Sequence, residues 1–291
     1  MARIRALLRR LKLNRLPQRA WPLALPALLL LGAFLFVPLA NVFRYATWSW
    51  SGFAPPESVG LDNLGRMTRD TELLRSLRST LFFGLMFLPA FLLLSRFIAI
   101  AIEGTRLERP LKALLFMPSL ITAAGAAIAW YLLYNPDYGF VVELTGVALP
   151  WTSYAWAGLL YVALFTLWQF TGYGVLVVSA ALKGIPSDIK EAARVDGATE
   201  GQIRRYIVGP LLRPAMRFLV VIGTVFAIQS YNAVYLLTRG SPFGSTRVIG
   251  YYLYETAFRR FELGYAAALT LLMLLITLVV AVAQLQLFRT R

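Results

Sequence analysis

The chain has 291 residues, of which 58% are apolar and only 15% charged, against about 25% charge in a typical soluble domain. So little polar surface cannot cover a water-soluble fold, and the composition reads as an integral membrane protein with no room for a large soluble domain. The absence of Cys and His excludes disulfides, thiol chemistry, imidazole bases and Ser-His-Asp hydrolysis.

The first 21 residues carry seven basic side chains and no acid. An apolar run over 22–43 follows. It is longer than the ~7–15 residues of a signal-peptide core and lacks a clear cleavage site, so it reads as an uncleaved first span. Residues 22–291 then form one transmembrane domain. With about 20 residues per crossing, further spans fall near 79–102, 112–134, 154–182, 211–237 and 263–288. The fold class is therefore all-α, a polytopic membrane protein with six transmembrane helices. Pro26, Pro38, Pro89 and Pro118 lie in or near these spans, where neighbouring groups satisfy the freed backbone.

Loop charge sets the orientation. Nineteen basic residues fall on the side of the termini and nine on the other, which puts both termini in the cytoplasm. The net charge of +15 is thus a topology signal and not a nucleic-acid footprint. Trp48, Trp50, Trp130, Trp151 and Trp156 are expected near the outer interface and Trp21 near the inner one, as a belt. Only Trp168 falls well inside a span. The outer loop over 47–77 holds spaced Leu and Met residues, which predict an amphipathic surface helix.

Arg96 is the only charge deep in a predicted span. Two readings stand: it snorkels to the cytoplasmic surface, or it faces a pore. On the fourth span Thr166, Gln169 and Tyr173 share one face. On the fifth, Ala227 and Ser230 share a face with Gly223, and Tyr231 and Asn232 lie beside it. These groups either line a cavity for a hydroxyl-bearing solute or serve helix packing.

The cytoplasmic stretch KGIPSDIKEAARVDGATEGQIRRYIVGPLLRP, residues 183–214, reads as two short helices. Asp188 is the expected N-cap of the first, with Glu191 closing a capping box. Gly197 follows its end, where a left-handed residue is needed. Thr199 and Gln202 repeat the capping pattern for the second helix, and Gly209–Pro210 is expected to stop it.

Glu191-Ala192-Ala193, three residues, Gly197, nine residues, Ile207, Val208, Gly209, Pro210 resembles the EAA loop of importer permeases in the ATP-binding cassette (ABC) family. Gly209 stands where the family has Leu. The resemblance extends along nearly the whole chain, to the carbohydrate-permease branch that includes maltose and glycerol-3-phosphate permeases. VGLDNLGRM at 59–67, LFMPSLI at 115–121, NPDYGF at 135–140, AVYLLTRGSPFGST at 233–246 and FRRFELGYAAAL at 258–269 follow in family order. The first span and outer loop resemble the subunit that pairs with a second, related permease.

The resemblance implies a multi-pass subunit of a bacterial or archaeal inner membrane that does no bond chemistry and binds no cofactor. ATP and Mg would sit on a separate ATPase dimer, and an extracytoplasmic solute-binding protein would deliver a sugar. The loop over 186–210, with Glu191, Ala192, Ala193, Asp196, Gly197, Ile207 and Pro210, would couple the permease to the ATPase. Glu191 either pairs with a basic group there or serves only the cap. The same machine carrying a glycerol phosphate ester is the nearest alternative. An ion-coupled transporter lacks the expected inverted repeats and intramembrane acids, and a membrane enzyme lacks its catalytic groups.

Overall fold

The computed structural model describes residues 21–147, 151 and 153–289; the basic N-terminal segment lies outside them. Helix α1 runs from Trp21 through a wide π turn at Gly32–Phe36 to Tyr45. A two-stranded antiparallel ladder, β1 (Trp48–Ser49) and β2 (Glu57–Ser58), forms the following loop. The short helix α2 (Asp62–Met67) then leads into α3 (Thr71–Ile102).

Helix α3 begins eight residues before the expected span, and the reason is local. Asp70 has extended backbone and accepts the N–H groups of Glu72 and Leu73 at 2.9 and 3.1 Å, a side-chain cap on the new helix. At 32 residues the helix is about 48 Å long, well beyond a hydrocarbon core of about 30 Å, so its capped end stands outside the membrane. This also corrects the expected amphipathic helix in the outer loop. Only six residues of that loop form a separate helix, while Leu73, Leu74 and Leu77 belong to α3.

Two other expected spans are broken. Helices α4 (Glu108–Leu120) and α5 (Ala123–Tyr134) meet at 101°. Ile121 is extended there, and Thr122 caps α5 by accepting the Gly125 N–H. After α6 (Phe140–Thr145), α7 (Ala155–Lys183) crosses without a break. Helix α8 (Ser187–Val195) is followed by α9 (Glu200–Leu211), which meets α10 (Arg213–Ile228) at 60°. A second break at Gln229 and Ser230 separates α10 from α11 (Tyr231–Leu237). Helix α12 (Ile249–Tyr254) ends in a π turn, and α13 (Leu263–Arg289) closes the described chain. Among the described residues, four helices are long and apolar enough to cross a membrane singly, and two bent pairs pass the same test together.

The core lies between α3, α7 and α10. Phe83, Phe87 and Phe91 recur at four-residue spacing on one face of α3 and stack at 5.8 and 5.4 Å. Helix α7 packs on both α3 and α4 through small residues. A side chain at Gly172 would strike the backbone of Leu115, and one at Gly174 would strike Ser95 and Phe91. In lipid, close approach of this kind supplies the dispersion contact that holds helices together. Helix α1 stands apart from this core. Its C-terminal end touches α13 through Val42, Tyr45, Ala267 and Ala268, and most of the helix from Ala24 to Ala40 is exposed.

Candidate coupling loop and transport pathway

Helix α8 starts two residues earlier than its sequence suggests, and this changes the role of Glu191. Pro186 is the N-cap and offers no side-chain bond. Asp188 therefore lies inside the first turn, where a carboxylate favours the helix dipole but cannot cap. Its Oδ1 accepts from the Ser187 hydroxyl at 3.1 Å. The Asp188–Glu191 capping box does not form. Glu191 is exposed and among the described residues has no side-chain hydrogen bond or ion pair. Its neighbours are tied back: Lys190 Nζ reaches Glu103 at the end of α3 at 3.0 Å, and Arg194 Nε reaches Glu200 at 2.6 Å. The Glu200 carboxylate beside Arg194 raises the guanidinium pKa.

The end of α8 follows its sequence. Gly197 has φ +81°, a conformation that costs an L residue about 1–2 kcal/mol. The Ala198 N–H donates to Ala193 O at 2.9 Å across the turn, closing a Schellman-type end. Nothing lies within 4 Å of where a Gly197 side chain would begin, so the backbone alone requires glycine. Ala192 and Asp196 are exposed, whereas Ala193 packs on the core.

Helix α9 opens with the expected box: the Gln202 N–H donates to Thr199 Oγ1, and the Thr199 N–H donates to Gln202 Oε1 at 2.7 Å. Gly209–Pro210 does not stop it. The chain widens into a π turn over Ile203–Val208, in which the Gly209 N–H donates to Arg204 O. That turn absorbs the amide that Pro210 lacks, and helix continues to Leu211. Ile203 and Val208 are buried and Ile207 half-buried, which seats α9 on the core.

The proposed pathway residues separate into distinct settings. Thr166 is buried and returns its hydroxyl to Val162 O at 2.8 Å, an intrahelical bond that fits packing. Gln169 is buried beside the α4–α5 break, where its backbone O accepts the Ser119 hydroxyl at 2.5 Å. Tyr173 packs edge-on to Phe226, which also stacks on Phe170 at 4.2 Å. Ala227 is buried and lines an apolar cleft of about 330 Å³ between α3, α10 and α13. Ser230 is buried at the α10–α11 break with its hydroxyl unpartnered. Tyr231 belongs to a cluster with Tyr235 and Tyr254, at 5.6 and 5.1 Å, and Asn232 is exposed. The structure thus does not bring the seven together into one cavity. The aromatic group at Phe170, Tyr173 and Phe226 and the polar break at Ser230 are separate features. Of the expected Trp belt, Trp130 and Trp151 are half-buried and pack inward, on Tyr134 at 4.6 Å and on Tyr161 at 4.9 Å.

The model of the binding-protein-dependent transport system inner membrane component family matches residues 102–290, which include the whole loop over 186–210. The chain belongs to that family. The permease is 30% identical to a probable ABC transporter permease protein of Pyrococcus horikoshii, over 88% of this chain and 90% of that one. It is 32% identical to probable ABC transporter permease protein YesP of Bacillus subtilis, over 88% and 85%. It is 28% identical to the sn-glycerol-3-phosphate transport system permease protein UgpA of Pectobacterium atrosepticum, over 90% and 91%. Its fold matches a chain in a crystal structure of a bacterial ABC transporter involved in import of the acidic polysaccharide alginate, with TM-score 0.81 at 20% identity, covering 94% and 96%. The protein is a multi-pass inner-membrane permease component of a binding-protein-dependent ABC transporter.

One polar network of the permease had no sequence signal beyond scattered charge. Asp70 accepts the hydroxyls of Tyr252 and Tyr265 at 2.5 and 2.6 Å, in addition to its two helix-capping bonds. Burial pushes its carboxyl up, but these four bonds outweigh it and hold the group below its ordinary pKa. Beside it, Arg247 pairs with Glu72 and, at 2.8 Å, with Glu255. This collar fastens the outer end of α3 to α12 and α13.

Proposed function

We propose that this permease forms, with a second and related permease, the pathway for uptake of a sugar. An extracytoplasmic binding protein delivers the sugar, and a separate ATPase dimer, carrying ATP and Mg, drives transport. In this reading each bent pair counts as one span, giving six, and both termini face the cytoplasm. The single observation that carries the coupling role is Glu191. Among the described residues, this carboxylate on an exposed helix makes no hydrogen bond or ion pair, while the flanking Lys190 and Arg194 do. Helix α8 also presents Val195 at 87% exposure. An acid and an apolar residue on one short rigid helix suit a cleft in another protein better than water. Glu191, Ala192, Ala193, Asp196, Gly197, Ile207 and Pro210 then form the coupling element: α8 makes contact, Gly197 sets the turn, and Ile207 and Pro210 join α9 to α10.

For the solute, Gln169, Tyr173 and Ser230 supply uncharged hydrogen-bonding groups and Phe170 and Phe226 supply faces on which a sugar ring can rest. The relative named for sn-glycerol-3-phosphate transport favours a second reading, a phosphate ester. No cation lies among these residues to hold a phosphate, so the neutral sugar remains the first assignment.

The test uses vesicles holding both permeases and the ATPase. ATPase rate is measured with binding protein and either a sugar panel or glycerol 3-phosphate. Stimulation by one sugar, lost in an assembled Glu191→Ala complex, supports both parts. Stimulation by glycerol 3-phosphate alone replaces the solute. Failure to assemble with any ATPase rejects the importer reading.

A further inference from the structure

Two residues that the sequence marks as odd lie against each other. Arg96 is the lone charge within the apolar run of α3, and Gly209 replaces the Leu of the loop pattern. A side chain at Gly209 would begin 3.1 Å from Arg96 Nη2 and 3.3 Å from the carbonyl oxygen of Arg204. The guanidinium therefore lies in the space that a larger residue at 209 would occupy. Arg96 has no ion pair or hydrogen bond among the described residues, so no carboxylate accounts for its position.

The surroundings do. Gly209 stands two residues before the end of α9, directly after the π turn over Ile203–Val208, and its N–H donates to Arg204 O. The Leu212 N–H is shared by Val208 O and Pro210 O there, and the C-terminal end of a helix carries partial negative charge that attracts a cation. Directly after that end comes the 60° bend into α10. Six residues separate Arg96 from Ile102 at the end of α3, about 9 Å of helix. The charge thus lies level with the base of the coupling loop, neither at mid-membrane nor fully at the surface.

We propose that Arg96 is a positioning residue for transport: its guanidinium braces the C-terminal end of α9 to α3, and Gly209 is the recess that admits it. Motion of α8 and α9 is then passed to α3 at the hinge as well as through α10. The role given to that motion rests on the coupling reading above; the brace itself does not. Snorkelling explains the direction of the side chain, and the glycine recess explains its seat.

The experiment uses the full chain in lipid nanodiscs. Because the sequence lacks Cys, Val195→Cys and Phe97→Cys place two spin labels on exposed sites of α8 and α3. The distance distribution is read in four backgrounds: unchanged, Arg96→Leu, Gly209→Leu and both. Each single change should broaden the distribution, and the double should match a single change, because one contact is lost either way. Arg96→Lys should keep it narrow. Gly209→Ala serves if the Leu variant does not fold, since a methyl displaces the guanidinium by less.

In the assembled transporter, each single change should cut binding-protein stimulation of the ATPase by roughly fivefold or more, a typical coupling factor, with basal rate retained. An unbroadened distance in Arg96→Leu, or effects that add in the double, would overturn the brace. Broadened distances in a chain that binds no ATPase would leave the brace standing and reject the importer reading.

Discussion

The collar around Asp70 and the loop over 186–210 hold similar residue types and treat them in opposite ways. In the collar, Asp70, Glu72 and Glu255 all find donors within the chain: Asp70 takes four hydrogen bonds, and Arg247 bridges Glu72 to Glu255. In the loop, Glu191 finds none among the described residues, and Val195 stays bare. A polar group satisfied at home fixes structure, because removing one partner strands the others. A polar group left unsatisfied on a rigid, exposed helix is available to another molecule. The same carboxylate chemistry thus serves as a clamp in the collar and is left without a hydrogen bond or ion pair, among the described residues, on α8.

The sharpest way to break this contrast is Asp70→Ala. It removes a helix cap worth about 1 kcal/mol and strands two tyrosine hydroxyls at about 1–3 kcal/mol each. A loss of roughly 3–7 kcal/mol is expected in unfolding of the full chain in detergent. A change under about 1 kcal/mol would mean that the collar is not a clamp.

Acid should reproduce part of that loss. The Asp70 pKa is depressed below 3.8 in the folded state, so its stabilisation is complete above the unfolded value and disappears as pH falls through the folded one. Wild-type stability should decline below pH 3.8 more steeply than that of Asp70→Asn. Parallel curves would show that another group titrates.

Gly197→Ala should cost about 1–2 kcal/mol, because the left-handed backbone, and no contact, is what the site demands. The shift in unfolding midpoint measures it. A larger loss would point to a hidden contact. Smallest of all, Glu191→Ala should leave stability within about 0.5 kcal/mol, as for a surface change away from any network. It should nonetheless abolish ATPase stimulation in the assembled complex. A variant that is both less stable and uncoupled would place Glu191 in the structure of the loop and end the contrast.

Several features were legible from short patterns. Thr199 and Gln202 predicted their box, and Gly197 its left-handed turn, since caps and turns involve neighbours within one helical turn. The Asp188 box failed for the same local reason. Pro186 opens the helix two residues earlier, so the carboxylate falls inside the first turn. Other features were not legible. A hydropathy window over 112–134 or 211–237 averages across the extended Ile121 and the break at Ser230, because a broken helix is as apolar as an unbroken one. The start of α3 was hidden because its first turns carry charge and lie beyond the apolar run.

The sequence by itself determined the membrane class, the approximate spans, the Gly197 turn and the Thr199–Gln202 box, because composition, apolar length and residue spacing act locally along the chain. Tertiary structure alone decided which polar residues are spoken for. Asp70 meets Tyr265 across 195 positions, and Arg96 meets Gly209 from another helix. Both contacts depend on how helices dock. No periodicity encodes that, since it follows from the close approach that residues such as Gly172 and Gly174 permit.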